Sequence, residues 1–155
     1  IGGSEYLSTI HGIVAGDAPA LDLKAEKAVH ETCIQAIERR LIKSAHDCAE
    51  GGLAVALAEC CILSERGPHG AELMGLKITG RPDFYLFGED QSRVIVTAEE
   101  RNVKRITELA RLMGTAAEII GTVNGSQLRI GEEIDVSVEQ LSKIYYRAIE
   151  SAVEL

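Results

Sequence analysis

Leu53-Ala54-Val55-Ala56-Leu57-Ala58-Glu59-Cys60-Cys61-Ile62-Leu63 carries one charge, Glu59, and is apolar nearly all round. Its length and alanine content predict a helix rather than a strand, and a helix with no polar face has to be buried. Directly upstream stands the junction Ser44-Ala45-His46-Asp47-Cys48-Ala49-Glu50-Gly51-Gly52. It places an imidazole, two carboxylates and a glycine pair just before the helix start. A junction that only turned the chain would need the glycines and one polar residue. The excess of ionisable groups has two readings. It is a site for a phosphate, a metal ion or both, or one carboxylate caps a helix beginning near Gly52 and His46 is a bystander.

The flanking segments predict further elements. Ile1 to Val14 forms a short helical or irregular lead-in, and Gly16-Asp17-Ala18-Pro19-Ala20 a turn-rich connector. Asp22 reads as an N-cap, because Ala25, Ala28, Val29, Cys33, Ala36, Ile37, Leu41 and Ile42 then recur at helical steps. Lys43 to Asp47 reads as a strand end and residues 66–70, from Arg66 to Gly70, as a loop. Ala71 to Ile78 is an expected strand that Gly75 weakens. Gly80-Arg81-Pro82-Asp83 turns the chain into Phe84-Tyr85-Leu86-Phe87, read as a strand. Ser92 to Thr97 has the β-branched character of an inner strand. Glu99-Glu100 opens a helix through Val103, Ile106, Leu109, Ala110 and Met113, with Gly114 as its stop. Ala117 to Val123 and Gln127 to Ile130 flank Asn124-Gly125, a two-strand turn signal. Val136 to Val153 closes the chain as a helix. The expected fold class is α/β (α+β), a mixed sheet covered by helices in three layers and partly ferredoxin-like from Ser92 onward. At 155 residues the simplest organisation is one domain.

The formal net charge of −8 argues against nucleic acid as a partner, since phosphate backbones demand basic patches. An anionic ligand would have to be met by backbone amides or a cation. No apolar run is long enough to span a bilayer and no signal peptide opens the chain, so no membrane partner is expected. The first residue is Ile1, not Met, and the opening reads like the middle of something larger. Cys60 and Cys61 are adjacent and ill placed to share one tetrahedral zinc, and no C-x-x-C occurs. With Cys33 and Cys48 they read as buried free thiols in a reducing cytoplasm.

Two stretches remain as carriers of chemistry. At the first, Gly51-Gly52 lets backbone approach a ligand, and the following helix presents free N–H groups to a phosphate oxygen. Asp47 and Glu50 would repel that phosphate unless Mg²⁺ bridges them. His46 is either a hydrogen-bond donor or a residue that fixes the loop. The second stretch is Gly88-Glu89-Asp90-Gln91-Ser92-Arg93. Taken as one strand with a bulge at Gly88, it points Glu89 and Gln91 to the same face; alternatively it is a charged edge that discourages aggregation. No G-x-x-x-x-G-K-[ST], G-x-G-x-x-G or H-E-x-x-H occurs. The residues point to a Mg²⁺–phosphate or nucleotide-like site assembled from two loops.

Those two stretches stand in the order Ser44-Ala45-His46-Asp47…Glu50-Gly51-Gly52-Leu53-Ala54-Val55-Ala56-Leu57-Ala58-Glu59, then Leu86-Phe87-Gly88-Glu89…Gln91-Ser92-Arg93. Gly2-Gly3-Ser4-Glu5-Tyr6-Leu7, Ile10-His11-Gly12, Ala18-Pro19 and Leu21-Asp22-Leu23 precede them. The set resembles the synthetase subunit of phosphoribosylformylglycinamidine synthase, in the superfamily of aminoimidazole ribonucleotide synthetase. The resemblance implies a subunit of duplicated halves, each a barrel-forming domain followed by an α/β domain, with this chain like the last of the four. It implies ATP-dependent conversion of formylglycinamide ribonucleotide to its amidine through phosphoryl activation of the amide oxygen, with Mg²⁺ and ATP or ADP as cofactors. The implied partners are the remaining domains of the subunit, a glutaminase subunit that delivers ammonia, and a small bridging subunit.

By the family's internal symmetry Asp47 takes a metal-facing position, and Glu89, Gln91 and Ser92 a substrate-facing one. His46, Glu50, Gly51, Gly52 and Arg93 complete the candidate nucleotide- or substrate-binding set, and no catalytic residue is carried over. The resemblance implies an auxiliary site that holds nucleotide without turning it over. Asp90 stands where the family usually has Ser, and Ala49 replaces a common Ser. The first adds a negative charge and the second removes a hydroxyl. An exposed apolar patch is expected where a barrel domain would dock. The competing readings are another ATP-using member of the superfamily, of the aminoimidazole ribonucleotide synthetase or thiamine-monophosphate kinase type, and a non-catalytic ligand-binding module.

Overall fold

The computed structural model describes residues 1–64, 67–78 and 80–153, so Arg66 of the expected loop lies outside the described residues. The elements run α1 (Glu5–His11), α2 (Leu23–Glu38), β1 (Ile42–Asp47), α3 (Gly52–Ile62), β2 (Ala71–Leu73) and α4 (Pro82–Phe87). They continue with β3 (Val94–Ala98), α5 (Glu100–Met113), β4 (Thr122–Val123), β5 (Gln127–Ile130), β6 (Ile134–Ser137) and α6 (Val138–Val153). The mixed α/β class holds. The chain folds as two compact units, the first made of Ile1–Ala56 and Asp83–Glu118, the second of Leu57–Pro82 and the chain from Ile119 onward.

In the first unit β1 and β3 form an antiparallel ribbon, with Asp47 opposite Val94 and Ile42 opposite Ala98. The register shifts between Ile42 and Ser44. Helix α2 packs on α5 and on β1, and Ala36, Leu41, Ile106 and Leu109 form a buried cluster joined by Ile42, Ala98, Met113 and Ala117. Of the apolar stripe expected as one helix, Ala36 enters this core from α2, while Leu41 and Ile42 enter it from beyond the helix end at Glu38 and Ile37 stays exposed. Asp22 caps the helix as expected, its Oδ1 accepting the N–H groups of Lys24 at 2.9 Å and Ala25 at 3.1 Å. Gly114 ends α5 in the left-handed region at φ 87°, its N–H turned back to Ala110 and Arg111 carbonyls.

Two expectations fail in this unit. Among the described residues β3 pairs with β1 alone, so it is not flanked by strands on both sides. Its β-branched residues reported half-burial, which the packing of helices supplies as well as neighbouring strands do. Phe84 to Phe87 is not a strand but the body of α4. Pro82 presets φ at the first helical position, and Asp83 Oδ1 accepts the Phe84 N–H at 3.1 Å. An apolar run of four residues carries too little periodicity to separate the two states. Gly88 therefore follows a helix and is not a bulge, and the same-face argument for Glu89 and Gln91 falls with it.

The second unit holds a four-stranded mixed sheet in the order β4-β2-β5-β6. Strand β2 runs antiparallel to β4 and parallel to β5, while β5 and β6 are antiparallel. The segments flanking Asn124-Gly125 are thus not a hairpin, because β2 lies between them. The Gly70 N–H donates to Gly125 O at 2.9 Å and the Asn124 N–H to Gly70 O at 3.0 Å, so this turn wraps the start of β2. A Cβ on Gly70 would sit 2.4 Å from Gln127 O, which leaves room only for glycine. The true hairpin joins β5 to β6, a strand absent from the expected order, and α6 begins at Val138 because Val136 and Ser137 belong to β6. Leu128, Ile130 and Val138 are buried, and α6 packs against β6.

Asp22→Ala should remove the cap of α2 and lower stability by about 1 kcal/mol in urea unfolding. An unchanged midpoint would mean that the cap seen here does not contribute.

Candidate functional site

The ends of β1 and β3 bring the two loops of interest together within the first unit. The ribbon register continues past Asp47, where the Cys48 N–H donates to Arg93 O at 2.9 Å. Beyond it, Gly51 and Gly52 both take positive φ, 77° and 67°, and α3 departs. Gly52 lies against the end of α4 so closely that a Cβ would stand 2.6 Å from Gly88 O and 2.9 Å from the Phe87 carbonyl carbon. The glycine pair thus admits another backbone of this chain.

The second loop spends its polar side chains on the surrounding frame. Glu89 is half-buried, and its Oε1 accepts the N–H groups of Gly51 at 2.8 Å and Glu5 at 2.9 Å. Ser92 holds φ 63°, a left-handed conformation rare for serine, and its hydroxyl donates to Glu26 Oε2 on α2. Glu26 also pairs through Oε1 with His30 Nε2 at 2.8 Å. The Arg93 guanidinium closes the C-terminal end of α4, donating from Nη1 to Tyr85 O at 3.3 Å and from Nη2 to Gly88 O. Arg93 Nε is buried with no hydrogen-bond partner among the described residues.

The first loop keeps more of its groups at the surface. His46 is half-buried, and its Nδ1–H donates to Asp47 O at 2.7 Å. Asp47 and Glu50 are exposed, as are Asp90 and Gln91 across from them. Burial pushes the Cys48 thiol above its ordinary range; the Arg93 charge pulls it down and Asp47 raises it further. Among the described residues no three His, Cys, Asp or Glu side chains gather to hold a metal ion. The geometry is that of two interlocked loops, rigidly framed, with single carboxylates and one amide facing outward.

All nine candidate residues therefore lie in one neighbourhood, and six of them divide into two groups beside His46 and the Gly51-Gly52 turn. Glu89, Ser92 and Arg93 hold the frame; Asp47, Glu50 and Gln91 face solvent. Three participants escaped the sequence reading: Glu26, the Glu5 N–H and the Tyr85 carbonyl. Backbone groups carry no sequence signal. Glu26 showed only its spacing to His30, with nothing to indicate Ser92, 66 positions away.

Residues 1–131 match the family described as AIR synthase related protein, C-terminal domain. Over 151 residues the chain is 44% identical to phosphoribosylformylglycinamidine synthase subunit PurL of Anaeromyxobacter sp. (strain K), which covers 94% of this chain and 20% of that protein. The solved structure of T. maritima PurL complexed with ATP superposes with a TM-score of 0.65 at 23% identity, over 91% of this chain and 24% of that one. That of PurLQS from Thermotoga maritima gives a TM-score of 0.66 at 26% identity, over 91% and 25%. The chain spans about a fifth of the length of the curated relatives it matches.

Gly52→Ala should cost about 2 kcal/mol or more, because both the positive φ and the Gly88 carbonyl oppose a methyl group. Gly3→Ala has a similar φ of 68° but open space around it, and should cost less. Equal losses in paired urea titrations would show that the close approach adds nothing.

Proposed function

This chain belongs to the AIR synthase related protein, C-terminal domain, family, and from that premise we propose that it is the last α/β domain of a phosphoribosylformylglycinamidine synthase. The whole enzyme is then an ATP- and glutamine-dependent carbon–nitrogen ligase of purine biosynthesis. It converts formylglycinamide ribonucleotide to formylglycinamidine ribonucleotide. The observation that carries the reading is 44% identity sustained over 151 residues, a span that includes both loops of the site.

Within that enzyme the domain contributes packing and an auxiliary nucleotide site. The division of the loop residues supports this role. Glu89, Ser92 and Arg93 are committed to backbone and α2, so few side chains remain to move a proton on a substrate. PurL of T. maritima is described complexed with ATP, and an adenine nucleotide is the ligand proposed here. Asp47 is the side chain that would hold Mg²⁺. A lone exposed carboxylate does not make a cage, but it suits an ion that arrives on nucleotide phosphates and keeps its waters. That ion would offset the charge of Asp47, Glu50 and Asp90 beside the phosphates.

The partners proposed are the other domains of the same subunit, a glutaminase subunit and a small bridging subunit; PurLQS is the neighbouring assembly that prompts the last two. Large apolar side chains stand in solvent in both units, among them Val14 at 87% exposure and Ile149 at 80%. They are the seats proposed for the other domains. No helix among the described residues is long and apolar enough to cross a membrane. No disulfide joins Cys33, Cys48, Cys60 or Cys61, which supports the cytoplasm as the compartment proposed.

Assayed alone with formylglycinamide ribonucleotide, ammonia and Mg·ATP, the 155-residue chain should hydrolyse no ATP above background. Substantial turnover would overturn the division of labour proposed here. Mg·ADP at a hundred times its dissociation constant should raise the unfolding free energy by about 2.7 kcal/mol. A melting temperature unmoved at millimolar Mg·ADP would remove the auxiliary site from the reading.

A further inference from the structure

One carboxylate oxygen in this fold serves two distant parts of the chain. Glu89 Oε1 accepts the Gly51 N–H at 2.8 Å and the Glu5 N–H at 2.9 Å. Neither donor has a ready alternative. Glu5 opens α1, where the first N–H groups have no partner inside the helix. Gly51 sits in a left-handed turn at φ 77°, outside any ladder. Ser4 Oγ already accepts the Leu7 N–H at 3.4 Å, so the cap of α1 leaves the Glu5 N–H to Glu89.

The carboxylate is itself held in place. Glu89 follows α4 by two residues, and the end of α4 is closed by Arg93 through Tyr85 O and Gly88 O. Tyr6 of α1 stacks on Phe87 of α4 with ring centroids 4.9 Å apart and planes 18° from parallel. Helix α1 thus meets the α4 end twice, once through rings and once through a hydrogen bond to charge. Gly52 presses its backbone on the same α4 terminus.

We propose that Glu89 is a positioning residue that locks the Gly51-Gly52 turn and the start of α1 into one unit, so that the two segments shift only together. Its task is to accept two N–H groups at once, not to reach a ligand. A ligand that displaced the turn would have to loosen α1 as well. This inference does not depend on nucleotide binding, since the bonds that carry it are internal to the chain.

Amide hydrogen exchange by NMR on the 155-residue chain, with no nucleotide present, tests it. In Glu89→Ala the Gly51 and Glu5 amides should exchange at least about tenfold faster, both of them, as loss of a charge-assisted bond implies. The Ile106, Leu109 and Ala110 amides of α5 should keep their rates. Glu89→Gln retains an oxygen acceptor of the same length and should restore most of the protection. Glu89→Asp withdraws the carboxylate by one methylene and should reproduce the paired loss if the alanine variant does not fold. Acceleration at only one of the two amides would overturn the proposal. So would no acceleration, acceleration that spreads equally through α5, or a Gln variant no better than Ala.

Discussion

The contact on which the first unit depends is between two stretches of bare backbone. Gly52 faces the C-terminal turn of α4 at a distance that no side-chain carbon could occupy. Backbones this close leave polar groups without water, and each must find a partner inside the protein. The loop that follows α4 supplies those partners. Arg93 takes the α4 carbonyls, Glu89 takes amides from the glycine turn and from α1, and Ser92 reaches Glu26 on α2. The dense polarity of residues 88–93 is first a consequence of the close approach.

This changes what the acidic residues near the turn can do. The chain carries a net charge of −8, and the carboxylates of Asp47, Glu50 and Asp90 stand exposed around the turn. The Gly51 amide, the obvious donor for an anion, already serves Glu89. A phosphate at this surface would therefore need a cation more than it needs the turn. That requirement is why the auxiliary nucleotide site proposed above is given a Mg²⁺ ion.

Long, periodic elements were legible from residues alone. The cap at Asp22, the stop at Gly114 and the helix start at Gly52 each rest on local chemistry, and each stands as expected; the stripe from Ala25 holds only as far as Glu38, where α2 ends, and Ile42 belongs to β1. Short elements were not. Pro82-Asp83 preset a helical turn for the aromatic run after them, so Phe84 to Phe87 coiled instead of extending. Asn124-Gly125 turned the chain as its residues require, but β2 entered between the arms. Strand β6 was hidden because its four residues are too few to show a period and Val136 runs directly into the helix that begins at Val138.

Sequence alone determined the family, the helical framework and which two loops carry polar side chains in excess, because these depend on residue identity and local periodicity. Tertiary structure decided what those side chains do. Glu89, Ser92 and Arg93 looked like ligand groups as a string of letters, since nothing local shows whether a donor from elsewhere in the chain will claim them. Only the packing of α1, α2 and the glycine turn against α4 supplied those claims. Hydrogen bonds to backbone and to residues 66 or 84 positions away leave no periodic trace in a sequence.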